Sequence, residues 1–249
     1  MQKALIIIPT YNEASNIDGL IDKIFQTTVG NKYNIDFNVL VVDDNSPDGT
    51  GDKVDELGKK YPVFAIHRKQ KSGLGSAYIA GFKWALGKSY DYIYEMDADL
   101  SHDPGYLLLF IEEILVNEAH CVIGSRFYKW RVSVVNWHLK RLFLSLTGHR
   151  YARYVLGQMK IYDTTSGYKC FKREALEALN LDKVLSNGYI FQLELNFRLY
   201  KKNMIIREIP IIFKDREAGD TKMSSGIIIE GLWLPLKLKI LSIIKGKDF

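Results

Sequence analysis

Two carboxylates stand one residue apart at Asp97 and Asp99, directly after the β-like run 91–96. A strand that ends in this way places both side chains in the loop beyond the sheet. Two like charges so close repel each other and stay hydrated unless a cation lies between them. Mg²⁺ and Mn²⁺ prefer hard oxygen ligands and usually bind one or two carboxylates together with substrate phosphates. The pair indicates a metal–diphosphate site, although a solvated turn or a helix N-cap uses the same residue types.

Two further polar segments, 9–13 and 43–50, each follow an apolar run. Turn chemistry explains their proline, asparagine and glycine residues, but it does not explain why carboxylates recur in both. Asp44 could accept a hydrogen bond from a base N–H, and Glu13 could hold a base or a ribose. Neither a glycine-rich dinucleotide fingerprint nor a P-loop occurs. Their absence argues against a dinucleotide dehydrogenase and a P-loop NTPase.

Strands and helices alternate along the first part of the chain. The predicted strands are Ala4–Ile8, Phe37–Val42, Val63–His67 and Tyr92–Met96. The predicted helices begin at Ser15 or Asn16 and at Asp103-Pro104, or extend near Gly51–Lys60 and over Leu74–Leu86. This alternation predicts an α/β fold with one Rossmann-like, mostly parallel sheet covered by helices on both faces. Ligands of such sheets bind beyond the carboxyl ends of the strands, where all three polar segments fall.

The composition sets modest limits. A chain of 249 residues with 47% hydrophobic and 25% charged residues is typical of one large globular domain. Cys121 and Cys170 lie in apolar surroundings without metal-ligand spacing, which predicts core thiols in a reducing compartment. The apolar run 4–9 is too short for a signal peptide, and no apolar run reaches the roughly 18 residues of a membrane span.

Positive charge is concentrated between Arg126 and Tyr162, where eight Lys or Arg occur without any Asp or Glu. Apolar residues recur there at helical spacing, and two tryptophans stand nearby; they are Val135, Leu139, Leu142, Phe143 and Leu146, with Trp130 and Trp137. This pattern predicts a membrane-facing amphipathic segment over 128–160. A surface helix packed on the domain is the alternative. A nucleic-acid face is disfavoured, because no nucleic-acid motif appears.

The segment 226–249 forms an apolar and basic tail. Its apolar part contains Glu230, Pro235, Lys237 and Lys239, so it cannot span a bilayer comfortably. We therefore predict a main domain over 1–225 and a tail that lies in the membrane interface or binds a partner, with a small membrane subunit as a candidate. The protein is expected to be peripheral, on the cytoplasmic face of a membrane.

Eight motifs in this order resemble those of family-2 inverting glycosyltransferases of the GT-A fold, and most closely those of polyprenol-phosphate (dolichol-phosphate) mannose synthases. The motifs are PTYNE at 9–13, VVDDNSPDGT at 41–50, KSGLGSAY at 71–78, MDADLSHDP at 96–104, IGSRF at 123–127, DTTSGYKCF at 163–171, NGYIFQLEL at 187–195 and FKDREAGDTKMS at 213–224. The resemblance covers residues 3 to about 225. It implies a GT-A fold and a metal-dependent sugar transfer.

The resemblance also implies residue roles. The nucleotide sugar would be held by Pro9, Tyr11, Glu13, Val42, Asp44, Asp97, Ala98, Arg126, Arg216 and Lys222. Asp97, Asp99 and Ser101 would hold Mg²⁺ or Mn²⁺, with Ser101 standing where the family usually has glutamine. The catalytic set would be Asp99, Arg126, Arg216 and Lys222, the last two on a mobile loop hinged at Gly219.

The implied reaction is inverting transfer of mannose from GDP-mannose to a polyprenyl (dolichyl) monophosphate. A phosphomonoester acceptor has a second pKa of about 6 and is already anionic near neutral pH, so it needs no general base. Relatives that glycosylate hydroxyls commonly carry an acidic base where this chain reads 188–192, which ends in Phe191 and Gln192. We interpret Glu194, the nearest carboxylate, as a buried structural partner.

Two alternatives stay open at this point. One is a polyprenyl-phosphate glycosyltransferase that uses another nucleotide sugar, such as UDP-glucose, or a hydroxyl acceptor. The other is a non-catalytic module that binds a nucleotide or a lipid. Asp44 does not decide between GDP and UDP, because guanine and uracil both offer an N–H.

Overall fold

The computed structural model describes residues 1–157, 159–188, 190–214, 225–244 and 246. The strands in these ranges are β1 (Gln2–Thr10), β2 (Ile35–Asp43), β3 (Val63–His67), β4 (Tyr92–Glu95), β5 (Cys121–Ser125), β6 (Val134–Val135), β7 (Lys169–Lys172), β8 (Ile206–Pro210) and β9 (Phe213–Lys214). Seven of them form one sheet in the order β3-β2-β1-β4-β7-β5-β8, and β6 pairs with β9. Within the main sheet only β7 runs antiparallel to its neighbours.

The strand register brings three carboxyl ends to one edge of the sheet. Thr10 of β1 lies opposite Asp43 of β2, and Ile7 of β1 lies opposite Glu95 of β4. The side chains of Ala4–Ile8 are fully buried. Such near-continuous apolar runs are typical of parallel strands covered on both faces. The loops that follow β1, β2 and β4 therefore lie side by side.

Eight helices accompany the strands in the described ranges. They are α1 (Ile17–Thr28), α2 (Thr50–Leu57), α3 (Leu74–Leu86), α4 (Leu107–Val116), α5 (Leu139–Val155), α6 (Arg173–Ala178), α7 (Phe191–Lys201) and α8 (Ser225–Ile244). One hydrophobic core packs α1, α2 and α4 against one face of the sheet. A second core packs α3, α6 and α7 against the other face, with parts of α5 and α8. The predicted α/β fold, covered on both faces, is confirmed.

The predicted elements of the first half are present, with small differences at their ends. The chain at Asp103 first forms a 3-10 turn over Pro104–Tyr106, and α4 begins only at Leu107. Asn16 precedes α1, but its amide donates to Glu13 Oε2 at 2.8 Å instead of capping the helix. Asn16 is thus the N-cap residue, as one of the two predicted starts has it, but it makes no side-chain capping hydrogen bond.

The amphipathic segment differs more from its prediction. Val135 belongs to the short strand β6, and the helix begins at Leu139. The tail forms α8, whose Leu234 and Leu238 are buried in the core and whose Leu232 carbonyl accepts a hydrogen bond from Tyr151 Oη of α5 at 2.7 Å. In the part of the chain described above, no helix is both long and apolar enough to cross a membrane.

Cys121 and Cys170 are free thiols on β5 and β7, and both are buried. This confirms the prediction that they are core residues.

Helix α3 approaches β1 closely at Gly81. A Cβ atom added there would lie 2.6 Å from Ile7 Cγ2. Because both elements belong to the core, neither can move without disturbing its neighbours. We expect Gly81→Ala to lower the free energy of unfolding by about 1–3 kcal/mol, measured by urea denaturation.

Gly19→Ala provides a matched control, since Gly19 also lies within a helix but has nothing within 4 Å of its added Cβ. Alanine there should raise stability by roughly 0.5–1 kcal/mol through helix propensity. Equal effects of the two substitutions would contradict the packing described here.

Candidate active site

The loop after β2 organises the loop after β1 through a set of short hydrogen bonds. Asp43 accepts hydrogen bonds from Thr10 Oγ1 at 2.8 Å and from Ser46 Oγ at 2.6 Å. Asp48 Oδ2 accepts the Ala14 N–H at 3.0 Å, and Thr50 Oγ1 accepts the Glu13 N–H at 3.0 Å. Segments 9–14 and 43–50 thus form one rigid rim of the sheet edge.

Asp44 is the carboxylate of this rim that pairs with an arginine. Its side chain is buried, Arg68 Nη1 lies 3.1 Å from Oδ1, and the Ser72 N–H donates to Oδ2 at 3.2 Å. Oδ1 accepts no hydrogen bond of normal geometry from the described residues, so it is suited to the N–H of a ligand. Tyr11 stands at the same rim, 40% exposed, with Lys71 Nζ 3.9 Å from its ring centroid.

The remaining rim residues take different positions. Glu13 accepts from Asn16 and its carbonyl accepts the first N–H groups of α1, so it also orders the start of that helix. The Val42 side chain lies within the hydrophobic core. Val42 can therefore meet a ligand only through its backbone, and half-buried Pro9 lies opposite it on β1.

Asp97 and Asp99 follow β4 at the same sheet edge. Tyr78 Oη donates to Asp97 Oδ1 at 3.2 Å, and the Ser101 N–H donates to Asp99 Oδ1 at 3.1 Å. Ala98 between them is buried. The Ser101 side chain is also buried, and its hydroxyl has no hydrogen-bond partner among the described residues. Two carboxylates and an orphaned hydroxyl thus meet in one turn.

His102 orients this turn. Its Nδ1 accepts the Asp97 N–H at 3.0 Å, and its ring stacks on Tyr168 with centroids 4.8 Å apart. Burial lowers the pKa of His102, although the charge of Asp97 opposes that effect. A neutral ring that accepts at Nδ1 carries its proton on Nε2, which lies 3.7 Å from Asp97 Oδ2.

These residues fit a divalent cation completed by a substrate. No group of three or more His, Cys, Asp or Glu that could hold a metal ion occurs in the described ranges. Asp97 and Asp99 would therefore supply two carboxylates at most, with the hydroxyl of Ser101 nearby. Mg²⁺ and Mn²⁺ are often held in this way, with substrate phosphates as the other ligands.

Arg126 follows β5 and is held by Asp163. Nε and Nη2 of Arg126 donate to the two carboxylate oxygens at 2.7 and 2.8 Å, and its backbone N–H donates at 2.9 Å. Nη2 also reaches Thr165 Oγ1 at 3.0 Å. Burial alone would raise the pKa of Asp163, but the charge and hydrogen bonds of Arg126 outweigh it and hold that pKa well below its ordinary value.

Aromatic rings enclose the Arg126 guanidinium on several sides. Their centroids lie 5.7, 5.6 and 5.4 Å from its central carbon, and the residues are Phe127, Trp137 and Phe213. His149 of α5 joins the same cluster, with Nδ1 2.8 Å from Thr164 Oγ1 and Nε2 3.7 Å from Asp163 Oδ1. Burial lowers the pKa of His149 to about 4, so its ring is neutral at pH 7.

A model of the family described as "Glycosyl transferase family 2" matches residues 5–179, which include most of β1, all of β2 to β7, and Asp44, Asp97, Asp99, Arg126 and Asp163. The chain belongs to this family. Among the relatives of this family 2 glycosyltransferase, polyprenol monophosphomannose synthase of Mycolicibacterium smegmatis is 41% identical over 93% of this chain and 85% of its own length. Undecaprenyl-phosphate mannosyltransferase of Micrococcus luteus is 42% identical over 92% and 91%.

Two further comparisons extend these relations. Dolichol-phosphate mannosyltransferase of Pyrococcus furiosus is 36% identical over 92% of this chain and 62% of its own length. A crystal structure of glucosyl-3-phosphoglycerate synthase from Mycobacterium tuberculosis, in complex with Mn²⁺, UDP-glucose and phosphoglyceric acid, superimposes with a TM-score of 0.68. It covers 95% of this chain and 80% of that chain at 18% identity, so it supports the fold alone.

Most of the sequence-predicted site residues of this family 2 glycosyltransferase meet at the carboxyl edge of β1, β2, β4 and β5. Arg216 and Lys222, together with the hinge at Gly219, lie outside the described residues. Glu194 is confirmed as a buried structural partner, since it accepts hydrogen bonds from the Ser186 N–H and from Arg198 Nε at 2.9 Å each. The sequence reasoning did not find Arg68, His102 or Asp163, although the last two stand inside recognised motifs.

The glycines of motif 71–78 serve packing in this family 2 glycosyltransferase. A Cβ on Gly75 would lie 2.9 Å from the Phe191 ring, and one on Gly73, which has a φ of +95°, would lie 2.9 Å from the Asn187 side chain. Asn187 in turn accepts the Ser76 N–H at 2.8 Å. These contacts fix the start of α7 against α3, beside Asp97.

Asp163→Asn removes the charge that balances Arg126 in a buried position. We expect it to lower the free energy of unfolding by about 3–5 kcal/mol, because a buried arginine then lacks a counter-ion. The pair of Lys83 and Asp182 at 2.5 Å supplies the control, since Asp182 is 78% exposed. Asp182→Asn should cost less than about 1 kcal/mol in the same denaturation experiment.

The pH dependence checks the same pair. The pKa of Asp163 is depressed in the fold below its ordinary value of 3.8. Its contribution is therefore complete above pH 3.8 and is lost as the pH falls toward the folded pKa. Wild-type stability should decline over that range more steeply than that of Asp163→Asn. Parallel declines would contradict the assignment.

Proposed function

We propose that this family 2 glycosyltransferase transfers mannose from GDP-mannose to a polyprenyl (dolichyl) monophosphate, with inversion at the anomeric carbon. The observation that carries this proposal is the 41–42% identity to two polyprenyl-phosphate mannosyltransferases over more than nine-tenths of the chain. The paired carboxylates after β4 and the rim of β1 and β2 supply matching chemistry at one sheet edge.

The nucleoside would lie against the rim. Asp44 would accept an N–H of guanine at Oδ1, which accepts no hydrogen bond of normal geometry from the described residues, and Tyr11 offers an exposed ring for stacking. Glu13 would hold the ribose or the base, while Pro9 and the backbone of Val42 line the same edge. Arg68 would keep the Asp44 carboxylate oriented through their 3.1 Å ion pair.

The diphosphate would lie along Asp97 and Ala98. Asp99, with Asp97 and Ser101, would hold Mg²⁺ or Mn²⁺, the latter being present in the complex of glucosyl-3-phosphoglycerate synthase. A divalent cation bound there supplies positive charge to the departing diphosphate. His102 keeps the Asp97 backbone in place by accepting its N–H at 3.0 Å.

The acceptor phosphate needs cations more than it needs a base. The start of α7 offers Phe191 and Gln192, and the nearest carboxylate, Glu194, is committed to Ser186 and Arg198. Arg126 would place positive charge near the transferred group from the end of β5. Arg216 and Lys222 would add charge from the segment that follows β9.

The proposed acceptor is a lipid, and two packed helices present apolar side chains to solvent. The exposed residues are Leu139, Phe143 and Leu144 on α5, and Leu232, Trp233, Leu236, Ile240, Ile243 and Ile244 on α8. Together with the basic residues of 126–160 they would hold the protein peripherally on the cytoplasmic face of a membrane. A small membrane subunit could bind the same helices.

Transfer of labelled sugar from GDP-mannose to a short polyprenyl phosphate tests the activity. We expect a chloroform-extractable product that requires Mg²⁺ or Mn²⁺ and is abolished by a chelator. Asp99→Asn should reduce the rate at least about 100-fold, because it weakens binding of the cation that would stabilise the departing diphosphate. Asp182→Asn, at the exposed ion pair, should retain the wild-type rate.

The other outcomes of this assay are informative. A product from UDP-glucose but not from GDP-mannose would contradict the donor assignment and keep the acceptor. Lipid binding without transfer from any donor, unchanged in Asp99→Asn, would indicate a binding module.

Phe143→Ser combined with Trp233→Ser tests the membrane surface. These side chains are 68% and 62% exposed, and burying each in lipid is worth about 1.5–3 kcal/mol. The double variant should therefore bind anionic phospholipid vesicles at least about 10-fold more weakly in a sedimentation assay. Val116→Ser is the control, since Val116 is 69% exposed at the end of α4. Equal binding of both variants would contradict the assignment.

A further inference from the structure

The buried carboxamide of Gln192 has no role in the function proposed so far. Gln192 is the second residue of α7, and its side chain is 3% exposed. Its Nε2 makes no hydrogen bond of normal geometry with any described residue. A buried donor left without a partner is costly, and such groups in folded proteins usually meet water or a ligand.

Lys169 determines which way this carboxamide points. Lys169 is fully buried on β7, and its Nζ donates to Gln192 Oε1 and, at 3.2 Å, to the Gln192 carbonyl. In both contacts Lys169 Nζ is the donor, so the oxygen of the carboxamide faces Lys169. Nε2 with its two hydrogens therefore faces away.

Glu95 lies beside the Gln192 carboxamide but does not occupy both hydrogens of its Nε2. The Gln192 amide lies close enough to the Glu95 carboxyl to interact with it. No hydrogen bond of normal geometry joins the Glu95 carboxyl to any described residue. Since Nε2 carries two hydrogens, at least one is left for another acceptor.

Gly167 marks where that acceptor would lie. A Cβ added to Gly167 would be 3.6 Å from Gln192 Nε2, 3.8 Å from His102 Cε1 and 3.9 Å from Asp97 Oδ1. One small space, left open by the missing side chain, therefore borders both the carboxamide and the carboxylate of the proposed metal site. Gly167 belongs to the same loop as Asp163 and Thr165, which hold Arg126.

We propose that Gln192, oriented by Lys169, is a substrate-binding residue whose Nε2 donates a hydrogen bond to a phosphate oxygen in the space beside Gly167. The lysine behind the amide makes it a stronger donor and favours an anionic acceptor. The oxygen belongs to the diphosphate of the donor or to the phosphate of the acceptor. This assignment rests on the proposed function for the identity of those two substrates.

Gly167→Ala tests the space directly. Its new methyl group would meet the protein only at ordinary contact distances, and the φ of Gly167 is not in the left-handed region. The variant should therefore fold with wild-type stability and lose about 10- to 100-fold in affinity for the phosphate-bearing substrate, the value of a hydrogen bond to a charged group. Gly19→Ala, with nothing near its added Cβ, is the matched control.

Gln192→Glu tests the donor. It keeps an oxygen for Lys169 and replaces Nε2 with a second, anionic oxygen, so the same affinity should fall at least as far. Gln26→Glu, on an exposed position of α1, controls for the added charge. Thermal unfolding of each variant shows whether it is folded before binding is measured.

Calorimetry separates the two sources of the oxygen. GDP and guanosine are titrated with Mn²⁺ present, and a short polyprenyl phosphate is titrated in a separate experiment. A loss for GDP but not for guanosine assigns the donor diphosphate, whereas a loss for polyprenyl phosphate alone assigns the acceptor. The proposal is overturned if Gly167→Ala binds both GDP and the polyprenyl phosphate with wild-type affinity, whether or not Gln192→Glu does the same.

Two further results are decisive. A loss seen with GDP-mannose but not with GDP would mean that Gln192 meets a sugar hydroxyl, which also overturns the proposal. These binding measurements do not depend on mannose transfer. A wild-type protein that binds GDP and polyprenyl phosphate but transfers no mannose would contradict the proposed function and leave the assignment of Gln192 testable.

Discussion

The acceptor side of the proposed site depends on one buried ion pair, between Arg126 and Asp163. Removing two charges from water costs several kcal/mol for each ion, and their attraction offsets this only when the remaining hydrogen-bonding capacity is satisfied. Here the backbone meets that condition. Asp163 accepts the Arg126 N–H at 2.9 Å, and Glu208 of β8 accepts the Asp163 N–H at 2.8 Å. His149 of α5 also lies 3.7 Å from Asp163. The end of β5 and helix α5 therefore both contact this ion pair.

Much of the fold could be predicted because its signals are local. Val63–His67 and Leu74–Leu86 form as predicted, since an apolar run or a helical period is complete within each segment. Asp97 and Asp99 were recognisable for the same reason. The amphipathic segment was less predictable, because Val135 shares the spacing of the helix but pairs with Lys214 of β9. That pairing partner lies far along the chain, where no local pattern indicates it.

The residues that sequence reasoning missed act through partners distant in sequence. The role of Arg68 is evident only from its ion pair with Asp44. The role of Lys169 is evident only from its contact with Gln192, which lies 23 residues further along the chain. A single buried lysine or glutamine carries no periodic signal. Its meaning depends on which strands are neighbours, and β7 enters the sheet antiparallel between β4 and β5. That insertion is what places Lys169 opposite Glu95 and behind the carboxylates after β4.

The same insertion has a consequence for protein engineering. Because β5 and β7 are adjacent strands, residues 126–168 leave the sheet and return to it at one edge. They form one insert, and segments 9–14 and 43–50 of the rim lie outside it. Its β6 residues must be retained, since they pair with β9. An exchange of this insert between relatives would also carry Gly167, which borders Asp97, so the two sides of the proposed site meet within this insert.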